Sequence, residues 1–354
     1  MITTLLVLFV LAACMFEFVN GFHDTANAVA TVIYTKSLKP TYAVVWSGFM
    51  NFLGLITGGV GVTMAIVGLI PKEILSDPNT NHTIEMVAAL LISAIGWNLY
   101  TWYKGIPASS SHTLIGSLLG IGIAYSLMTG VDVVNWKKAF DIGKALLLSP
   151  ILGFGLVIIF MTLLYKIMKK KDIFKEPDGK TPPPMWIRGL LITTSSLVSF
   201  FHGRNDGQKG IGLVMIILMA FLPSVYNLDN VANPPMWVMW MVAVSLGLGT
   251  MIGWKRIVVT IGEKIGKTHL TYAQGATSEL VAAITIGLST WFKLPVSTTH
   301  ILSSGIAGSM VASKGAKNLQ TSTLKTILSA WILTLPITII ASGGLFYIFR
   351  LIFG

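Results

Sequence analysis

The sequence predicts an all-α protein that crosses a membrane many times, and three observations lead to this fold class. Only 11% of the 354 residues are charged, whereas ordinary soluble domains carry about 25%. Hydrophobic residues make up 53% of the chain, which excludes an intrinsically disordered protein. Long apolar stretches recur from one end of the sequence to the other. A single cysteine, Cys14, also excludes a disulfide framework and a multi-cysteine zinc site.

The apolar stretches are candidate membrane segments, because a helix needs about 20 mostly apolar residues to cross the hydrocarbon layer. In chain order they lie near Ile2–Asn20, Val44–Ile70, Ile84–Tyr103, Leu114–Met128, Gly143–Met168, Trp186–Phe201, Gly210–Leu222, Met236–Gly253, Leu280–Phe292, Ile301–Val311 and Thr326–Phe349. Several are short or rich in glycine, so we predict about 10 to 12 transmembrane segments that include broken or re-entrant helices. The first stretch has no basic residue before it and leads into a polar motif, so we expect a retained span and not a signal peptide.

A polar segment, residues 166–185, divides the chain into two halves, 1–165 and 186–354. It contains six lysines against three acidic residues and ends in a run of prolines, Pro182–Pro184. Because lysine and arginine are enriched in cytoplasmic loops, we predict a cytoplasmic linker between two transmembrane repeats. The net charge of +11 is then explained by loops that face anionic lipid at the cytoplasmic (inner) membrane, and no nucleic-acid partner is expected.

The other charged loops predict opposite orientations for the two halves. In the first half, Thr35–Pro40 has two lysines and no acidic residue, whereas Pro71–Thr83 has one lysine against two acidic residues. In the second half the order is reversed. There, Pro223–Pro235 has one aspartate and no basic residue, and Trp254–Lys267 has four basic residues against one glutamate. By the positive-inside rule, the two halves are inserted with opposite topology.

Two polar motifs occur once in each half. Residues Gly21–Ala28 (GFHDTANA) correspond to Gly203–Gly210 (GRNDGQKG), 182 residues later. Residues Pro107–His112 (PASSSH) correspond to Pro295–His300 (PVSTTH), 188 residues later. Matched motifs in the same order predict an internal duplication, and the loop charges make it an inverted-topology repeat. Such repeats are typical of secondary transporters, whose substrate site lies on the pseudo-two-fold axis near the membrane midplane.

The first motif pair places an aspartate, Asp24 or Asp206, between apolar segments of each half. Placing a carboxylate at the centre of a membrane helix costs about 2.5–3.5 kcal/mol, so two aspartates without a function there would be strongly unfavourable. We therefore expect the two aspartates to approach each other across the pseudo-axis and to hold cations, including a metal ion. Small residues around each aspartate would let the chain leave helical geometry. The alternative is that the aspartates line a wet vestibule or pair with a base such as Lys209.

The second motif pair has the composition of a helix N-terminus, since proline favours the first turn and hydroxyl residues favour N-caps. Ser110, Ser111, Thr298 and Thr299 are predicted to lie at the N-termini of two short helices, where free N–H groups and the helix dipole attract anions. The alternative is that the hydroxyls bond only to their own helix backbone. An oxyanion can bind here only if cations or protons separate it from the aspartates, which predicts a symporter. Phosphate and sulfate fit equally well.

Three other titratable residues in apolar stretches are weaker candidates. His23 lies beside Asp24 and is a candidate proton relay, and Glu17 and Glu279 are candidate secondary proton or cation sites. A divalent-cation transporter is an alternative function, because Asp, Asn and Ser oxygens suit Mg²⁺ or Ca²⁺. An intramembrane enzyme is disfavoured, since an enzyme needs one asymmetric site and every candidate here has a twin. No nucleotide-binding loop is present in the sequence, which argues against ATP-driven transport.

These motifs resemble a known family. Asn20–Thr31 and His202–Lys209 resemble the paired signature of the PiT family of inorganic phosphate transporters, and the two Pro–Ser/Thr–His motifs resemble its second pair. The likeness covers essentially the whole chain and is strongest to the bacterial low-affinity members. It implies two inverted repeats with re-entrant hairpins around a central phosphate. It also implies coupling to H⁺, as in bacterial members that carry metal–phosphate complexes, with Na⁺ coupling as the alternative.

The resemblance also implies roles for individual residues. Phosphate contacts are expected at Asp24, Asn27, Ser110, Ser111, Asn205, Asp206, Thr298 and Thr299. Coupling to the cation or proton is expected at His23, Asp24, Asn27, Asp206, Gln208 and Lys209. No resident cofactor is expected, only co-transported H⁺ or Na⁺, with Mg²⁺ or another divalent ion accompanying phosphate in a metal complex. Arg204 departs from the family pattern, which usually has a small residue there, and a homo-oligomer in the bilayer is left open.

Lys209 leads to one further hypothesis. In the alignment of the two repeats, Asn27 corresponds to Lys209. If Asn27 helps Asp24 to bind a cation, the ammonium of Lys209 would occupy the matching position near Asp206 and replace one bound ion. The alternative is that Lys209 simply forms a pair with its neighbour Asp206.

Overall fold

The computed structural model describes residues 2–24, 26–70, 80–168, 171–178 and 181–353, without the side chains of Asn27, Thr80, Asn81 and Lys171. Within these ranges the chain forms α-helices, three short 3₁₀ turns and one isolated β-bridge. The prediction of an all-α fold is therefore confirmed for the described part of the chain.

The helices are numbered here in chain order. Those of the first half are α1 (Ile2–Asp24), α2 (Ala26–Tyr34), α3 (Pro40–Ile56), α4 (Gly61–Val67), α5 (Thr80–Tyr103), α6 (Ser110–Thr129) and α7 (Trp136–Ile167). Those of the second half are α8 (Met185–Phe221), α9 (Met236–Ile252), α10 (Lys255–Glu263), α11 (Tyr272–Trp291), α12 (Thr298–Lys314) and α13 (Thr321–Phe353).

Two bent helix pairs occupy matching places in the two halves. The axes of α3 and α4 differ by 77°, and those of α9 and α10 differ by 62°. Glycines lie at both bends, Gly58 and Gly59 in the first half and Gly253 in the second. The predicted broken or re-entrant helices are thus present in each half.

The glycine-rich motif of the second half does not interrupt its helix, which corrects one expectation. Separate segments were expected at Trp186–Phe201 and Gly210–Leu222, but α8 runs through both and through the motif between them. The glycines allow close packing instead, since a Cβ on Gly203 would lie 2.0 Å from the backbone oxygen of Asn51 in α3. Small residues at such a crossing let two membrane helices approach closely. In the first half, Thr25 lies between α1 and α2 and outside the described residues.

The two halves are interleaved. Helix α6 packs against α13, and its counterpart α12 packs against α7. Helix α1 packs against α9, and its counterpart α8 packs against α3. Each of these contacts recurs with the halves exchanged, as two repeats related by a pseudo-two-fold axis require. The opposite membrane orientation of the halves, and the boundaries 1–165, 166–185 and 186–354, stay predictions.

The composition of the helices fits a membrane-spanning fold. Five described helical segments are long and apolar enough to cross a bilayer, counting α1 with α2 as one, and the two bent pairs raise the number to seven. Large apolar side chains are exposed along the outer helices, among them Leu147, Ile332 and Ile340. Exposed apolar surface of this extent is suited to lipid.

The linker is docked rather than fully solvated. Its 3₁₀ turn, Lys171–Phe174, buries Ile173, and Lys314 of α12 donates to Glu176 over 2.8 Å. Lys169, Lys170 and Lys180 of the linker lie outside the described residues, as do residues 71–79 of the loop predicted to be extracellular.

Candidate functional site

The structure brings Asp24 and Asp206 together at the interface between the halves. Asp24 is the last residue of α1, Asp206 lies in the middle of α8, and both are buried. One oxygen of each carboxylate and one ring nitrogen of His202 lie within 4.8 Å of one another. The expected approach of the two aspartates is therefore seen.

Asp24 is held by side chains from both halves. Ser110 of α6 donates to Oδ2 over 2.6 Å, and Thr299 of α12 donates to Oδ1 over 2.7 Å. His23 Nδ1 lies 3.0 Å from Oδ1, while its Nε2 lies 3.0 Å from the hydroxyl of Thr101 in α5. His23 thus connects Asp24 to a hydroxyl on another helix, which is the geometry that a proton relay needs.

Asp206 has its contacts on one oxygen. Lys209 donates to Oδ2 over 2.7 Å, Thr298 donates to the same atom over 3.3 Å, and His202 Nε2 lies 3.3 Å away. The other oxygen, Oδ1, is buried without a hydrogen-bond partner. This oxygen could bind an additional ligand, because buried polar atoms are normally satisfied.

Lys209 lies at the centre of the cluster with only 1% of its surface exposed. Its ammonium donates to Ser110 Oγ over 2.6 Å, to Ser111 Oγ over 3.2 Å and to Asp206 over 2.7 Å. The pair with Asp206 exists, but the other two contacts reach across to the first half. We call Asp24, Asp206, Lys209, Ser110 and Thr299 the central cluster.

The second motif pair forms two helix N-termini that point at this cluster. The N-cap residues are Ser109 for α6 and Ser297 for α12, which accept from the backbone N–H groups of His112 and His300 over 3.3 and 3.1 Å. The predicted hydroxyl residues are the first two of each helix. They do not bond only to their own helices, since Ser110, Thr298 and Thr299 all donate to an aspartate.

Two predicted residues lie near the central cluster but point away from it. Asn205 donates to the Thr290 hydroxyl over 2.8 Å and to the Leu294 carbonyl over 3.3 Å, both on the side of α11. Gln208 Oε1 accepts from the backbone N–H of Val62 over 2.7 Å and so holds the start of α4. The side chain of Asn27 lies outside the described residues.

Arg204 and two buried glutamates have distinct surroundings. Arg204 lies beside the α3–α4 bend, where a Cβ on Gly58 would be 3.3 Å from its Cγ. Glu279 accepts from the hydroxyls of Thr31 and Thr194. Glu17 accepts from Asn20 over 2.9 Å, and its Oε1 is buried without a hydrogen-bond partner.

His202 was not among the site residues predicted from the sequence. His202 precedes Asp206 by four residues, so both lie on one face of α8. Its Nδ1 also contacts Asn51 Oδ1 over 2.8 Å. The i, i+4 spacing was the available signal.

The two motif histidines, His112 and His300, meet at the helix N-termini. Their ring centroids are 4.7 Å apart, and His300 stacks on Trp331 of α13 at 4.0 Å. Trp331 in turn donates to the carbonyl of Pro107 over 2.9 Å. The stack therefore joins the ends of both motifs, and Trp331 connects them to the start of the first motif.

Comparisons with known proteins agree with the geometry. The family model described as the phosphate transporter family matches residues 20–342. The low-affinity inorganic phosphate transporter PitB of Escherichia coli K12 is 36% identical, over 98% of this chain and 97% of that protein. The probable low-affinity inorganic phosphate transporter of Bacillus subtilis 168 is 42% identical, over 99% of this chain and 98% of that protein.

A solved structure shares the fold. It is described as the sodium-dependent phosphate transporter, and it matches with a TM-score of 0.81 at 22% identity, over 99% of this chain and 100% of that chain. Full-length bacterial relatives and several apolar helices make the chain a multi-pass protein of the cytoplasmic membrane. The resemblance found in the motifs is confirmed, and the chain belongs to the phosphate transporter family.

Proposed function

We propose that this protein is a secondary transporter that takes up inorganic phosphate by cation-coupled symport. The observation that carries the proposal is the central cluster, in which two buried carboxylates and a buried ammonium lie where the N-termini of α6 and α12 meet. The relatives are named low-affinity inorganic phosphate transporters, which supports phosphate over sulfate as the substrate.

The charges of the central cluster explain why transport must be coupled. Two helix N-termini, four hydroxyls and the Lys209 ammonium favour an oxyanion. Asp24 and Asp206 oppose it, and two carboxylates outnumber one ammonium even before phosphate enters. A cation or proton must therefore accompany phosphate, since an uncompensated negative charge in the membrane interior is costly.

The binding roles follow from the same contacts. Phosphate would be bound by the hydroxyls and first-turn N–H groups of the two helix N-termini, those of Ser110, Ser111, Thr298 and Thr299. These hydroxyls would give up their present hydrogen-bond acceptors when phosphate binds. Asp24 and Asp206 would carry the negative charge that the coupling cation or proton balances, with His23 as a proton relay toward Thr101. Asn205 and Gln208 would act indirectly, through α11 and α4, and the role of Asn27 is kept from the sequence.

We propose H⁺ as the coupling ion. Lys209 already pairs with one oxygen of Asp206 over 2.7 Å and would repel a metal cation at that carboxylate, whereas a proton needs no coordination shell. Glu17, with an unpaired Oε1, and Glu279, between two threonine hydroxyls, are further proton sites inside the protein. The alternative is Na⁺ coupling, which is supported by the solved transporter described as sodium-dependent.

A divalent ion would have three ligands in this site. Asp24, His202 and Asp206 each offer one atom within 4.8 Å of the others, which suits a metal–phosphate complex. Lys209 lies 2.7 Å from one carboxylate oxygen of Asp206 and would repel a bare dication. The site therefore favours a metal that arrives with phosphate over a transporter of the free cation.

Uptake by purified protein in proteoliposomes tests the proposal. Radiolabelled phosphate uptake would be measured with pH, Na⁺ and Mg²⁺ gradients imposed one at a time, and with sulfate as a competitor. We expect an inward proton gradient to drive uptake without Na⁺, with little competition from sulfate. Strict Na⁺ dependence would contradict H⁺ coupling, and no phosphate uptake under any gradient would contradict the transport function itself.

A further inference from the structure

We propose that Lys209 is a built-in coupling cation. Its ammonium permanently fills the cation position of the second half, so that only the position beside Asp24 takes a mobile ion. The inference rests on the proposed symport and specifies its ion requirement.

The surroundings of the ammonium are those of a coordinated cation. A lysine ammonium has three N–H donors and no acceptor. The three oxygens around Nζ, from Asp206, Ser110 and Ser111, lie at 2.7, 2.6 and 3.2 Å, so every donor has an acceptor. With 1% of the residue exposed, the ammonium is shielded from bulk solvent. Hydroxyl and carboxylate oxygens are also the ligands that hard metal cations prefer.

The contacts also go beyond a local ion pair. A pair three residues apart on one helix would need only Asp206. Instead, two of the three acceptors belong to the N-terminus of α6, in the other half of the chain. Lys209 therefore bridges a carboxylate of one repeat and the proposed phosphate-binding hydroxyls of the other, which is the place of a coupling ion.

The two repeats differ at this position while their surroundings agree. Ser110 donates to Asp24 as its counterpart Thr298 donates to Asp206. The residue three positions after Asp206 is Lys209, whereas the residue three positions after Asp24 is Asn27, which carries no charge. The duplication thus gives one repeat a fixed cation and leaves the other to bind one.

A fixed ammonium excludes a second mobile cation from the same carboxylate oxygen. Two positive charges a few ångströms apart in a dry cluster repel strongly. Each transported phosphate would therefore be accompanied by one mobile cation fewer than in a transporter that has asparagine at this position of both repeats.

The substitution Lys209→Asn tests this inference. It replaces the ammonium by a neutral amide oxygen that can ligate Na⁺, so phosphate uptake should become dependent on Na⁺, by about tenfold or more, because an unpaired buried carboxylate is costly. Lys209→Met supplies neither charge nor oxygen and should not be rescued by Na⁺. Lys209→Arg should stay insensitive to Na⁺ at whatever rate it retains. Lys317→Asn, at an exposed lysine outside the cluster, should leave the cation dependence unchanged.

A binding measurement keeps the inference testable if the variants transport poorly. Binding of radioactive Na⁺ to the purified full-length protein would be compared for the original chain and Lys209→Asn without phosphate. More bound Na⁺ in the variant supports the inference, and equal binding overturns it, as does unchanged cation dependence of uptake in a folded variant. If the original chain takes up no phosphate under any gradient, the proposed symport fails, while the Na⁺ binding comparison still decides the role of Lys209.

Discussion

The hydroxyl of Ser110 forms hydrogen bonds to two charged groups of the central cluster. It donates its one proton to Asp24 and accepts from Lys209, so it joins the negative and positive groups of opposite halves. A hydroxyl that is used in both senses has a fixed orientation. Ser110 therefore links Asp24 to Lys209 through one hydroxyl.

Ser110→Ala is expected to raise the KM for phosphate about tenfold, because two charge-assisted hydrogen bonds are lost at once. Uptake kinetics in proteoliposomes would measure this effect. Ser289→Ala is the matched control, since the Ser289 hydroxyl bonds to the Thr285 carbonyl of its own helix. Equal KM values for Ser110→Ala and the original chain would remove Ser110 from the phosphate site.

Asp206→Asn should destabilise the protein more than the double variant Asp206→Asn/Lys209→Met. The single change leaves a buried ammonium without its counter-charge, which costs about 3–5 kcal/mol, whereas the double change removes both charges. Thermal unfolding in detergent would compare the two variants with Lys209→Met alone. Additive shifts in Tm would contradict a direct interaction between Asp206 and Lys209.

Lys293 adopts a backbone conformation that suits glycine. Its φ is 60°, and the corresponding residue of the first repeat is Gly105, with a φ of 66°. Lys293→Gly should stabilise the protein by up to about 1 kcal/mol, because the left-handed conformation is strained for residues with a Cβ. An increase in Tm would be the readout, with Lys267→Gly, at an ordinary φ, as the control that should not gain stability.

The angular position of a residue around its helix decides which site residues could be predicted. Side chains turn by about 100° per residue around a helix, so positions 202, 206 and 209 share one face and position 208 lies opposite. Once α8 is known to be continuous, Gln208 must point away from Asp206 and His202 must point toward it. Because the motif was predicted to break the helix, these side chains could not be assigned to one helical face from the sequence.

At the scale of elements, α8 shows why the break was wrongly expected. Glycine runs both interrupt helices and allow helices to pack closely, and the sequence does not say which. The outcome depends on the partner helix, here α3, which lies against Gly203. By contrast, the N-termini of α6 and α12 were predictable, because proline and N-cap serine act within a few residues of the chain.

Gly203→Ala should be strongly destabilising, since its Cβ would lie 2.0 Å from a backbone oxygen of Asn51 that cannot move aside. Overpacking of this kind costs about 1–3 kcal/mol or more. Gly189→Ala in the same helix is a matched control, because a Cβ there meets nothing within 4 Å. The yield of folded protein and its Tm would be compared, and equal values would mean that α3 and α8 are not in close contact.

At the scale of the whole molecule, the opposite insertion of the two halves is open to a direct test. The single cysteine, Cys14, is buried, so cysteines introduced at Lys39, Asp178 or Asp229 can be labelled selectively. All three positions are exposed. A membrane-impermeant maleimide applied to intact cells should label Asp229→Cys alone, whereas Lys39→Cys and Asp178→Cys should react after permeabilisation. Labelling of Lys39→Cys and Asp229→Cys from the same side would contradict an inverted repeat.

At this scale the sequence predicted an all-α membrane protein with bent helices, but not which helices would pair. Matched motifs indicated a duplication, but nothing in them said that α6 would pack on α13 and α12 on α7. Helices in lipid pair through surfaces of small residues and complementary shape. Because apolar helix sequences resemble one another, the sequence does not show which helices will pair. The meeting of Asp24 and Asp206 was predictable only from the pseudo-two-fold axis that the matched motifs indicated.

The exchange of partners between the halves has a consequence for how the chain is made. The end of α6 leaves the ribosome about 190 residues before the start of α13, a delay of roughly 10 to 40 s at ordinary rates of synthesis. During that time the nascent first half lacks α13. The small-residue groove at Gly116 and Gly120, which α13 later fills, is therefore exposed. The packing of α6 is therefore completed only after α13 has been synthesised, and a chain that stops before α13 would leave this groove uncovered.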